Sequence, residues 1–169
     1  MAGPSQHTRT MINFKTSQGD EGEVVVELTG PLDEFADLGP VFSLPGRKLH
    51  LNLERVERVN SMGVRNWVRA LDQHLQGREI VFEKVKPPIL EQFNLIRRFG
   101  GGGRILSLYI PYLCEPCGQE TLALKSADEC RRGDHWACPV TKCPSCRAAM
   151  VLDDDEKEFF LYFYGPGTP

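Results

Sequence analysis

Two cysteine pairs, Cys114-x-x-Cys117 and Cys143-x-x-Cys146, carry the clearest chemistry in this chain. Each short pair can fold as a tight turn that aims two sulfurs at one point, so four thiolates can close a tetrahedron around one zinc ion. A catalytic zinc needs an open coordination position with a base beside it, whereas four thiolates fill the sphere. The spacing therefore predicts one structural Zn2+ held by Cys114, Cys117, Cys143 and Cys146. A redox Cys-x-x-Cys is the competing use, but that motif ordinarily stands alone at a helix start. Between the pairs lie Cys130, His135 and Cys138, three further ligands with Asp134 or Asp128 as a fourth. Their spacing matches no usual pattern, and they read as surplus side chains on a loop.

The elements that must position these cysteines follow from periodicity. Met11–Lys15 and Glu23–Thr29 read as two strands of a hairpin, joined by a glycine-bearing turn from Gln18 to Gly22. Leu49, Leu51 and Leu53 alternate with polar residues and mark a third strand over Lys48–Leu53. From Ser61 the period changes: Val64, Trp67, Val68, Leu71 and Leu75 share one helical face, and Gly77 stands where a cap belongs. Glu79–Val85 gives a fourth strand, Pro87-Pro88 starts a helix lined by Ile89, Phe93 and Ile96, and Arg104–Ile110 gives a fifth strand. A short helix near Asp33–Leu38 completes an α/β order, one mixed sheet covered mainly on one side by helices. Phe159–Tyr164 is apolar or aromatic at consecutive positions, which predicts a terminal strand covered on both faces, with a hairpin turn at Asp153–Asp155.

Composition bounds what such a chain does. At 169 residues, 41% hydrophobic and 25% charged, it suits one core of about 100 residues with a small satellite. A formal charge of −3 argues against a general phosphate-tracking surface. No segment has the length and apolarity of a membrane span, and Met1–Thr10 lacks the apolar centre of a signal peptide. All six cysteines fall between Cys114 and Cys146, unlike the distributed framework of a secreted disulfide protein. These features predict a cytoplasmic protein.

Residues 11–112 resemble the STAS domain, the fold of bacterial anti-sigma-factor antagonists. The likeness rests on Leu28-Thr29-Gly30-Pro31-Leu32-Asp33, on Leu49–Leu53, and on Val59-Asn60-Ser61-Met62-Gly63-Val64. Asn60-Ser61-Met62-Gly63 stands where the family carries Asp-Ser-Ser/Thr-Gly, so two of four positions depart. The resemblance implies that Ser61 matches the family's phosphoacceptor, that Asn60, Ser61, Met62 and Gly63 form a partner-binding surface, and that the partner is a protein such as an anti-sigma-type serine kinase. Asn60 replaces the acidic residue that a family-type kinase would meet. Residues 113–165 resemble a zinc ribbon with knuckles at Cys114–Gly118 and Cys143–Cys146. The fifth strand runs into Cys114 through Pro111-Tyr112-Leu113 with no linker.

Each remaining candidate has a plainer use. Asn60 or Ser61 before an apolar periodic run is an ordinary N-cap, although the same helix start would also accept a phosphate. Gly100–Gly103 lacks the lysine and strand-loop-helix order of a phosphate loop and reads as a connector. Arg97-Arg98-Arg104 and Arg131-Arg132 read as solvated surface, as do His50 and His74. No histidine pairs with a nucleophile in sequence, so the expected role is regulatory binding without catalysis. Two rivals remain: a nucleic-acid adaptor working through the ribbon, and a scaffold or transporter-associated subunit. A homodimer fits any of the three.

Overall fold

Alternating burial builds the first sheet of the computed structural model, which describes residues 11–75 and 77–165; the leader reading of Met1–Thr10 falls outside them. Strand β1 (Asn13–Gln18) pairs antiparallel with β2 (Glu23–Leu32), Thr16 facing Val26, as the hairpin pattern predicts. In β2 the side chains of Val24, Val26 and Leu28 are buried, while Val25, Glu27 and Thr29 are half-exposed. The short helix α1 lies at Gly39–Phe42, downstream of the predicted Asp33–Leu38. Asp33 causes the shift: its Oδ1 accepts the Phe35 N–H at 3.0 Å and holds a turn there, leaving Pro40 to open the helix.

Strand β3 (Lys48–Val59) is twice the predicted length, and helix α2 (Ser61–His74) follows it. Strand β4 (Glu79–Glu83) leads into α3 (Pro87–Leu95), then β5 (Arg104–Ile105) and β6 (Ser107–Leu113). The sheet order is β1-β2-β3-β4-β5, with β2 to β5 parallel and β1 antiparallel, a mixed α/β sheet. Trp67 sits at the centre of its core. It stacks on Phe99 at 5.1 Å, meets the edge of Phe42 at 5.1 Å, and donates its Nε1–H to the Phe99 carbonyl at 2.8 Å. The indole thereby has its one donor satisfied inside the apolar core.

The predicted fifth strand, Arg104–Ile110, is two strands in two sheets. Burial slips phase between Ile105 and Leu108, passing exposed Leu106 and half-buried Ser107. A strand that keeps one sheet would keep a period of two. Here β5 stays beside β4, and β6 departs to pair antiparallel with β7 (Glu120–Ser126). Helix α4 (Ala127–Cys130) and the small hairpin of β8 (Arg131–Arg132) and β9 (His135–Trp136) come next. Strands β10 (Thr141–Lys142) and β11 (Ala149–Leu152) complete a second, antiparallel sheet of order β10-β11-β6-β7.

The predicted terminal strand and its Asp153–Asp155 hairpin turn give way to helix α5 (Glu156–Phe159) and a 3-10 turn at Leu161–Tyr164. Asp155 decides this by capping: its Oδ1 accepts the N–H groups of Lys157 and Glu158, each at 3.0 Å. The aromatic run then buries Phe159, Phe160 and Phe163, a helical rather than a two-faced strand pattern. This segment packs on the first sheet's helix α3. Asn94 clasps it, donating to the carbonyls of Glu158 and Phe159 at 2.9 and 3.1 Å and accepting the Tyr162 N–H at 2.8 Å. Buried residues of both sheets form one continuous apolar cluster.

Candidate metal centre and exposed helix start

The four paired cysteines converge. Their Sγ atoms all lie within 4.8 Å of one another, with Cys114 to Cys146 at 3.4 Å and Cys117 to Cys143 at 3.6 Å. Metal–sulfur bonds of 2.3 Å in a tetrahedron place sulfurs about 3.8 Å apart, so these four fit one shared ion with only a small expansion. Each pair sits at the turn of a hairpin, the first joining β6 to β7 and the second β10 to β11. The two knuckles repeat one geometry. Cys114 N–H reaches Gln119 O at 2.9 Å and Gly118 N–H returns to Cys114 O at 2.7 Å; Cys143 N–H reaches Ala148 O at 2.8 Å and Arg147 N–H returns to Cys143 O at 3.0 Å. In both, the residue after the second cysteine is left-handed, with φ of 71° at Gly118 and 65° at Arg147. Glycine takes that conformation freely, but arginine does not, so the second knuckle is the strained copy.

Local dipoles sort the thiols. The Cys146 backbone N–H, aided by that of Ser145, holds the Cys143 thiolate and pulls its pKa down to about 6. Burial and the neighbouring sulfurs push Cys114 up to about 12. Such a crowd of sulfurs without a cation would resist losing all its protons, and a divalent ion removes that resistance.

The residues between the knuckles do not form a second centre. Among the described residues, Cys130, His135 and Cys138 belong to no group of three or more ligand atoms. Cys130 is not a surplus loop thiol: it is fully buried in α4, with Sγ 3.4 Å from the Ser126 carbonyl and its pKa raised to about 12 by burial. Cys138 is half-buried and His135 is exposed.

At the other candidate site, Asn60 caps helix α2, its Oδ1 accepting the Gly63 N–H at 2.9 Å. Ser61 is therefore not the cap but the first helical residue, and its side chain is exposed. Met62 beside it is 45% exposed, while Gly63, read from sequence as part of the same surface, is buried. A Cβ at Gly63 would lie 1.9 Å from the Leu32 carbonyl oxygen, so the helix start can press on β2 only through glycine. A shallow depression of about 600 Å³ runs along α2 from this turn, and a second of about 350 Å³, between α2 and residues 34–39, shares Arg69 and Gln73 with it.

Two charged arrangements escaped the sequence reading. His50, taken as solvated, has a side chain only 16% exposed between Glu23 and Glu83, 3.3 Å from Oε1 of the first and 3.1 Å from Oε2 of the second. The Glu83 approach is not an aligned hydrogen bond. Glu54 accepts from Lys84 Nζ at 2.9 Å and from Tyr109 Oη at 2.5 Å, tying β3 to β6. Lys84 holds the Glu54 carboxyl below the usual carboxylate range, and Glu54 in turn raises Lys84 and Tyr109. Every shift in this trio moves away from neutrality, the reverse of what acid–base catalysis requires. Period-two alternation in β3 put His50 and Glu54 on one face, but nothing in the sequence named their partners.

In comparison with known proteins, no family model matches the chain and no curated protein aligns with it.

Proposed function

We propose that the chain is a non-enzymatic regulatory module of the cytoplasm, in which a STAS-like body at residues 11–112 presents the start of α2 to a protein partner and a structural zinc ribbon at residues 113–165 buttresses it. The observation that carries the binding role is the exposed Ser61 on the first turn of a 14-residue helix, flanked by exposed Met62, Arg65 and Arg69. A phosphate at Ser61 would meet the positive end of the helix dipole and lie one turn from Arg65. It would then compete for that arginine with an acidic partner, and burying about two negative charges at an apolar contact would also oppose docking. Partner release on phosphorylation follows. The alternation of buried and half-exposed residues in β2 and β3 supports helices mainly on one side of the sheet, as the STAS-like reading requires. No helix of the described residues is long and apolar enough to cross a membrane.

Zinc is the ion this donor set favours, since four thiolates in a tetrahedron match its preference and leave no open position. Elemental analysis of metal-replete protein should give one zinc per chain, and a ratio near zero or two would overturn the assignment. For the surface, a partner captured on the wild-type chain is challenged with Ser61→Asp and Ser61→Ala. Weaker binding of the first with retention of the second supports the switch; unchanged affinity in both removes it. Salt-dependent binding of DNA or RNA instead would move the assignment to the nucleic-acid adaptor.

A further inference from the structure

Strand β7 is an edge whose outward groups are open in the middle and closed at the ends. Two hydrogen bonds fix the parity of its ladder with β6: Cys114 N–H to Gln119 O at 2.9 Å, and Ala127 N–H to Leu106 O at 2.8 Å. Hydrogen-bonded pairs alternate along an antiparallel ladder. In the observed register, Thr121, Ala123 and Lys125 therefore aim their backbone groups at β6, and Glu120, Leu122, Leu124 and Ser126 aim theirs outward. The ends of that outward row are engaged within the chain. Glu129 accepts the Ser126 N–H at 2.8 Å, and Gln119 donates to the Glu120 carbonyl at 2.7 Å. Among the described residues nothing pairs with the outward groups of Leu122 and Leu124, which are 54% and 43% exposed. The middle of this edge shows none of the devices that ordinarily protect one: no proline, no bulge, and the nearest lysine, Lys125, leaning 3.9 Å from Glu129 on the other face.

We propose that this edge is covered by the β7 edge of a second copy of the chain. The strand is self-complementary about Ala123. Antiparallel pairing across a two-fold axis there sets Leu122 against Leu124 of the partner subunit, Thr121 against Lys125 of the partner subunit, and Glu120 against Ser126 of the partner subunit. No like charges oppose, and apolar side chains share one face. Both Leu122–Leu124 pairs are then hydrogen-bonded pairs, each exchanging two N–H···O bonds, so the four open groups of each copy are satisfied. Ala123 falls on the axis as a non-hydrogen-bonded pair, where strands approach most closely and a small side chain suits. Two four-stranded sheets become one of eight strands.

The test is sedimentation equilibrium of the full chain together with amide exchange by NMR. The wild-type protein should have a mass near twice the 19.0 kDa of one chain. Exchange of the Leu122 and Leu124 amides should slow more than about tenfold with rising concentration. Leu124→Pro removes an edge-facing N–H and leaves the β6 ladder intact, and the double variant Leu122→Lys/Leu124→Lys opposes like charges; both should be monomers with wild-type metal content and a lower, concentration-independent melting temperature. A monomeric wild type at all concentrations overturns the proposal. So does a dimer in which these two amides exchange fast, a result that needs no variant to fold.

Discussion

The two sheets are built on different principles. The first takes its order from apolar burial: Val24, Val26, Leu28, Leu49, Leu51 and Leu53 alternate inward, and Trp67 fills the centre. The second has short strands, two of only four and two residues, and its hairpins meet where the four sulfurs meet. On the proposed reading, metal ligation there does what bulk burial does in the first sheet, since strands this short hold little apolar surface of their own. Yet the two are not separate bodies, because Phe93 packs edge-on against Tyr162 at 5.0 Å and Asn94 clasps the terminal turn. With metal bound, NMR relaxation should report one tumbling time for both.

The largest expected effect breaks the second region alone. Cys143→Ser should abolish metal binding and disorder β10, β11 and the β6–β7 end, since in such sites binding free energy is also folding free energy. Near-stoichiometric metal in that variant would refute the four-cysteine site. Next comes the first region: Trp67→Ala should cost about 3–5 kcal/mol, read by denaturant unfolding, because it empties a fully packed site and strands the Phe99 carbonyl. A cost below about 1 kcal/mol would mean that the core is not organised around this indole.

What the sequence disclosed follows the same division. Cysteine spacing carries its geometry locally, so the four-cysteine cluster was legible, and so were the strands β1 to β4, of which β2 and β3 alternate regularly. Other features were not. The break at Leu106 leaves the strand pattern of Arg104–Ile110 nearly unbroken, and only the burial phase betrays it. The run Phe159–Tyr164 satisfies a two-sided strand as well as a helix, and Asp155, whose capping settles the choice, suits a hairpin turn equally well. Cys130 reads as a loop thiol because the tertiary packing that buries it has no sequence signal.

A smaller effect compares the two knuckles. Gly118→Ala should lose about 1 kcal/mol, and Arg147→Gly should lose nothing or gain up to about 1 kcal/mol, because only the second knuckle carries a side chain at positive φ. Thermal melting of metal-loaded protein reads both, and a loss of about 1 kcal/mol or more in Arg147→Gly would show that Arg147 carries no strain. The smallest effect is on pH. Glu54 sits below its ordinary pKa of 4.5 through Lys84 and then Tyr109. Its stabilisation is therefore complete above that value and fades as pH falls through the depressed folded-state value. Both side chains are about a third exposed, which keeps the effect to no more than about 1 kcal/mol. Glu54→Gln should flatten the acid limb of the melting profile, and an unchanged limb would show that the bridge to β6 is weak.

Residue-resolved amide exchange before and after removal of the metal by a chelator tests the division between the sheets most directly. The account predicts that protection at Thr121, Ala123 and Met150 collapses while protection at Val26 and Leu51 persists. Protection that survives chelation in both sheets, or vanishes from both together, would contradict it.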